Sequence, residues 1–217
     1  YGDGEGVFYY LTVINEQYEM PPMPEGPGVR DGIIKGLYKF RSAPELKTKA
    51  RAQLIGSGAI LNEVVKAQGL LEKYGVAADV WSATSYNELY RDGHRVERWN
   101  LLHPLEKPQV PYVTECLANT QGLVVAASDY LKSQPDMIAR WVGKPMITLG
   151  TDGFGRSEDR AALRNHFEVD ARHIAAATLS ALSRDKQVDA KTVAQAFTDL
   201  QIDGDKVDPA TVDPARA

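Results

Sequence analysis

The sequence predicts an α/β fold, and three observations carry that prediction. A complete strand, helix, strand unit stands at residues 51–85. Two further short apolar runs, LVVAA at 123–127 and PMITL at 145–149, alternate with helical patterns, as βαβ units require. The 217 residues include 43% hydrophobic side chains, enough for one large domain, or one domain plus a piece of another.

The unit at 51–85 is the centre of the chain. Ala52, Leu54 and Ile55 form a strand that stops at Gly56, Ser57 and Gly58, where a tight turn needs residues tolerant of unusual φ. Ser57 reads as the N-cap of a helix on which Ile60, Leu61, Val64, Val65 and Leu71 line one face. Gly75 ends that helix, and 76–83 returns as a strand parallel to the first through a right-handed crossover.

The remaining elements follow in order. Residues 7–14, VFYYLTVI, are β-branched and aromatic and read as a buried strand. Residues 20–32, MPPMPEGPGVRDG, deny both helix and sheet and read as a stiff linker. GLYKF at 36–40 alternates as an edge strand does, and 42–50 reads as a turn. After the central unit, 86–90 reads as helical, 91–100 as a charged stretch around Val96 and Trp99, and 101–115 as an irregular, proline-broken connection.

Asp129 or Asp136 is placed to cap a helix carrying Met137, Ile138 and Trp141. The glycine-rich turn at 150–157 precedes a helix with Glu158 and Asp159 in its first turn, from which Leu163 and Phe167 face the core. Asp170 and Asp189 cap two final helices, the second with Val193, Ala196, Phe197 and Leu200 in helical register. The tail 203–217 has little to bury and is expected to be mobile or draped over a neighbour.

Composition excludes several classes. A net charge of -4 gives no footprint for nucleic acid. No apolar run approaches the ~20 residues of a membrane span. The single cysteine, Cys116, permits no internal disulfide and suits a reducing cytoplasm. The opening YGDGEG lacks Met and any targeting pattern, and reads as a chain entered midway.

Candidate chemistry is sparse. His94, His103, His166 and His173 have no partners at metal-ligand spacing. His166, near a helix end, is placed to interact as an imidazolium with the C-terminal dipole. His103 sits where it could line a cleft, without a base or nucleophile beside it. Cys116 has no adjacent cationic cluster and reads as a small buried side chain. GSGAI does not match GxSxG, so no nucleophile elbow is present.

The turn Gly56-Ser57-Gly58 could seat a phosphate on a helix N-terminus, although two glycines are neither GxGxxG nor a P-loop and tight strand-to-helix turns need glycine anyway. Asp152 and Arg156 flank Phe154 beyond a strand's carboxyl end. That makes an incomplete chemical site but a credible interface, because an aromatic beside an Arg resembles an interface anchor.

The blocks FYYLTVINEQYEMPPMPEG, GLYKF, LIGSGAIL, DVWSATSYNEL, VERWNLLHP, ASDYLK and LGTDGFGRSEDRAALRNHFEVDA, in collinear order, resemble the C-terminal part of the homodimeric, bacterial-type pyruvate dehydrogenase E1 family of the transketolase superfamily. The resemblance covers nearly the whole chain. It implies three α/β domains per subunit, active sites at the dimer interface, and thiamin diphosphate with Mg as cofactors. Pyruvate would be decarboxylated on that cofactor and the lipoyl group of E2 reductively acetylated. Residues 1–31 would then be the last strand of the pyrimidine-binding domain plus the linker. Residues 32–217 would be the C-terminal domain, a three-layer sandwich around a mostly parallel five-stranded sheet, with the mobile tail from about 203.

The resemblance places no catalytic, cofactor-binding or metal residue in this chain, since Gly2, Asp3 and Gly4 lack the helix and asparagine of the family's cation motif. The implied partners are the remainder of the polypeptide, a second subunit and the E2 lipoyl domain, with Asp152, Phe154 and Arg156 as interface residues. The competing expectation is an independent α/β module that binds a phosphorylated ligand at Gly56-Ser57-Gly58.

Overall fold

Among the described residues, the strands β1 (Leu37–Arg41), β2 (Arg51–Gly56), β3 (Ala77–Ala83), β4 (Leu123–Ala127) and β5 (Met146–Leu149) form one sheet in the order β1-β3-β2-β4-β5. The computed structural model describes residues 4, 6, 8 and 17–212. The strand expected at 7–14 therefore lies outside the described residues, apart from Phe8. The edge strand β1 runs antiparallel to β3, and the other pairings are parallel, with Leu54 opposite both Val80 and Val125.

Strand order dictates where the helices go. From β2 the chain passes through α2 (Ile60–Lys73) to β3 on one side, then returns past β2 to β4 through α3 (Tyr86–Leu102) and α4 (Tyr112–Ala118). It continues through α5 (Ser133–Asp136) and α6 (Ala139–Val142) to β5. Crossovers of one hand that run in opposite directions must cover opposite faces. Accordingly α2 packs on one face with Leu54, Val80 and Val125, while Leu89 of α3, Leu117 of α4 and Trp141 of α6 pack on the other with Ile55, Trp81 and Val124. Successive residues Leu54 and Ile55 thus serve two separate cores, the period-two alternation of a strand buried on both faces. After α7 (Arg160–His166), α8 (Ala171–Arg184) and α9 (Ala190–Asp199) bring Ile174, Leu179, Leu182, Ala196 and Leu200 back onto the α2 face.

Several expectations need correction. The linker expected over 20–32 ends early, because α1 (Val29–Lys35) begins directly after Pro27-Gly28 and closes with the Gly36 N–H on the Gly32 carbonyl. The stretch 86–100 is one helix, α3, capped by the Ser85 side chain and laced by Arg91–Glu88 and Arg95–Asp92 pairs. Within 101–115, Tyr112 opens α4 immediately after Pro111. Ser57 does not cap α2: its hydroxyl donates to Ser128 Oγ at 2.8 Å, and α2 starts behind Ala59 without a side-chain cap. Neither Asp129 nor Asp136 caps a helix, since α5 and α6 are single turns without side-chain caps. Asp159 acts as the cap of α7, and Asp189 stands at the cap position of α9 without a side-chain bond.

Two contacts yield tests of this packing. A Cβ on Gly93 of α3 would lie 2.5 Å from Trp141 Cδ2, so the helix reaches the indole only because no side chain intervenes. Gly93→Ala is expected to cost about 1–3 kcal/mol through overpacking, read as a lower urea midpoint at unchanged slope; an unaltered midpoint would mean that the indole is free to move.

Asp170 caps α8 by accepting from the His173 N–H at 2.9 Å, and also receives the His173 ring at 2.8 Å and Arg172 Nη2 at 2.8 Å. Burial acts to raise this carboxyl, but the hydrogen bonds from His173 and Arg172 outweigh it and hold the group well below the usual carboxylate range. A depressed folded value adds stability above the unfolded value, about 3.9 for Asp, and that stability is lost as pH falls below it. Asp170→Asn should therefore lower stability at pH 7 and flatten its decline in an acid titration below about pH 4; parallel curves for the two proteins would remove Asp170 from that decline.

Candidate functional site

The carboxyl ends of the parallel strands are the usual address for ligands in open α/β sheets. At the crevice between β2 and β4, where the strand order reverses, Ser57 and Ser128 are both buried. The Ser57 N–H donates to the Ala127 carbonyl at 3.4 Å, and Ser128 Oγ also accepts the Tyr130 N–H at 3.1 Å. The turn Gly56-Ser57-Gly58 thus joins two strand ends, and the Ser57 hydroxyl is committed to Ser128.

Beyond β4 and β5 the two loops hold each other. Thr151 donates its hydroxyl to the Asp129 carbonyl at 2.8 Å and its N–H to the Tyr130 carbonyl at 2.9 Å. Asp152 accepts the Lys132 N–H at 3.3 Å and lies 3.7 Å from Lys132 Nζ. Asp152 is therefore spent on the β4 loop, whereas Arg156 reaches the other way and donates to the Val212 carbonyl at 3.5 Å. The two do not pair with one another. Phe154 between them is 63% exposed, and Tyr130 and Leu131 on the adjoining loop are 58% and 53% exposed. These tied loops therefore expose apolar and aromatic side chains, with Asp129 exposed beside them.

The histidines are placed structurally. His94 meets the Tyr90 and Trp141 rings edge to face, and His103 stacks on Trp99 and bonds its carbonyl. His173 serves the Asp170 cap. For His166 the expectation of an imidazolium at a helix end is corrected: burial, with Lys206 and Arg156 nearby, pushes its pKa below the ordinary value and favours the neutral ring. The cation at that helix end is instead Lys206, whose ammonium donates to the Asn165 and His166 carbonyls at 2.6 and 2.8 Å. Burial also pushes the half-buried Cys116 thiol up, which suits an inert side chain.

Sequence reasoning missed two features. Glu63 of α2 is buried and accepts the Ala171 N–H at the start of α8 at 3.1 Å, while Arg164 lies 3.5 Å from it and donates onward to the Tyr18 hydroxyl at 3.1 Å. Glu63 sits among apolar α2 positions, and only that misfit could have flagged it. An open cleft of about 710 Å³ lies between α1, α3 and the approach to α4, with Ile34, Val110 and Tyr112 among its walls. Its Arg91 and Arg95 are each committed to an acid three residues earlier, Glu88 and Asp92.

Comparison with known proteins agrees with this architecture. The family model described as the transketolase-like TK C-terminal domain matches residues 36–170. The pyruvate dehydrogenase E1 component of Haemophilus influenzae is 48% identical over 207 residues and that of Escherichia coli K12 is 46% identical over 207. Each alignment covers 94% of this chain but 23% of the relative, in its C-terminal part. Among solved structures, a transketolase from Leishmania mexicana aligns with a TM-score of 0.47 at 17% identity, covering 71% of this chain and 19% of that one. The family match runs from the residue before β1 to the Asp170 cap of α8 and so takes in the whole sheet; this chain belongs to the transketolase-like C-terminal domain family.

Proposed function

We propose that this chain is the C-terminal structural and dimer-interface segment of a cytoplasmic pyruvate dehydrogenase E1 component. The observation that carries the proposal is its 46–48% identity to such components along 94% of its length. The holoenzyme would decarboxylate pyruvate on thiamin diphosphate and pass the acetyl group reductively to the lipoyl group of E2. Among the described residues no three His, Cys, Asp or Glu side chains gather as a divalent cation would need. On the family resemblance, thiamin diphosphate and its Mg are assigned to the parts of such components that this chain, spanning 23% of their length, does not cover, and no chemical step is assigned to its side chains.

The contribution of the chain is then positional. A domain that buries surface against its neighbours fixes the relation between the cofactor-binding domains, and misplacing reacting groups by 1 Å can cost about 100-fold in rate. Phe154, with Tyr130 and Leu131 beside it, supplies the kind of exposed aromatic surface that anchors such contacts.

In the full-length protein, pyruvate decarboxylation should require thiamin diphosphate and Mg, and removal of this segment should abolish it. Phe154→Ala is expected to raise the dimer dissociation constant by about 30-fold or more, the effect of an interface hot spot, with little change in the thermal midpoint. A large loss of thermal stability at an unchanged dissociation constant would reassign Phe154 from the interface to the fold.

A further inference from the structure

Residues 203–212, expected to have little to bury, run back across the loop 150–156 and the end of α7. Three tethers hold them there. Lys206 donates to the Asn165 and His166 carbonyls, the last of α7, and pairs with Glu168 at 3.3 Å. The Pro209 carbonyl presses against Gly153, where a Cβ would lie 2.6 Å from it and where φ is +101°, so that both space and backbone conformation demand glycine. Arg156 closes the arrangement from the loop side by donating to the Val212 carbonyl.

The same contacts place limits on their own strength. Arg156 Nε and His166 Nε2 are buried without a hydrogen-bond partner, and such groups are costly to leave unpaired. Val207 is 64% exposed, so the segment adds little apolar burial. A segment held by a few polar tethers against unsatisfied polar atoms sits at the low end of local stability and can open without global unfolding.

We propose that residues 203–212 form a strap that holds the loop 150–156 in the conformation presenting Phe154 to a second copy of the chain, with Lys206 as its positioning residue. The loop is tied on one side to the β4 loop through Thr151 and Asp152, and the strap fixes its other side at Gly153 and Arg156. Rigid support lowers the ordering cost that a loop-borne anchor would otherwise bring to association. The interface part of this inference rests on the dimer reading above; the strap itself rests on the tethers.

The test is hydrogen exchange of amides 150–156 in the full-length protein, together with the dimer dissociation constant by sedimentation. Lys206→Met, which keeps the aliphatic stem, is expected to raise exchange in the loop about tenfold, and Lys206→Arg, which keeps the cation, to restore it. A chain ending at Ile202 should exchange at least as fast as Lys206→Met. Unchanged loop exchange in both Lys206→Met and the shortened chain overturns the strap. Faster exchange supports it, and the dissociation constant then separates the two ideas: a rise of about tenfold joins strap to interface, whereas no rise leaves the strap standing and overturns its link to the dimer contact.

Discussion

The central strand β2 is the constraint from which the rest of the structure follows. It is paired on both sides, its residues from Ala52 onward are buried, and the chain reverses its direction of travel across the sheet at this strand. Register here is fixed by more than the ladder. Gln53 accepts the Trp81 indole N–H at 2.8 Å and donates to the Gln121 carbonyl at 3.0 Å, so one side chain ties β2 to β3 and to the entry of β4. At the other end Ser57 and Ser128 join β2 to β4. A one-residue slip would exchange Leu54 and Ile55 between the two cores and strand each of these buried polar groups, which is why the pairing is unique.

That same closure decides what the carboxyl edge of the sheet can do. A switch-point crevice binds a ligand when backbone and side-chain donors are left facing outward. Here the Ser57 hydroxyl donates to Ser128 Oγ, and Thr151 and Asp152 are spent binding the β5 loop to the β4 loop. Among the side chains these loops expose are Tyr130, Leu131 and Phe154, whose exposure is unfavourable in water and favourable in a contact. Tyr130, Leu131 and Phe154 thus stand exposed on loops that polar contacts hold together.

Elements whose formation depends on apolar periodicity were legible in the sequence. The strands β2, β3 and β4 and the helices α2 and α8 place their periodic apolar residues in the cores, while β5 is half-buried and the last helix buries Ala196 and Leu200 but not Phe197. Illegible elements are those held by other forces. Beyond its first turn α3 is strongly charged, and its support comes from pairs three residues apart and from the Gly93–Trp141 contact, neither of which produces a wide apolar stripe. Short helices beside Pro and Gly, α1 and α4, exist because tertiary partners supply what seven residues cannot. The Asp170 cap was legible, whereas Ser57 does not cap because Ser128 offers its hydroxyl a buried alternative. At the proposed interface the exposed aromatic Phe154 was readable, but the diverging commitments of Asp152 and Arg156 depend on Lys132 and Val212, which are distant in sequence.

The helix α7 shows how much polar anchoring can contribute to a local structure. None of its seven residues is buried, and a helix of that length is unstable in isolation. It persists because both ends are satisfied: the Asp159 carboxylate accepts the Ala162 N–H at one end, and the Lys206 ammonium takes the last carbonyls at the other. From its side, Arg164 lies between Glu63 and Tyr18, so the helix is pinned toward α2 and the segment that precedes α1. The Asp159 and Lys206 anchors set charges against the helix dipole near the surface, where salt weakens them, whereas the Arg164–Glu63 pair is largely buried and is screened less. The sheet and its two cores therefore set whether the domain folds, and the charged periphery sets how firmly the loop that follows β5 is held.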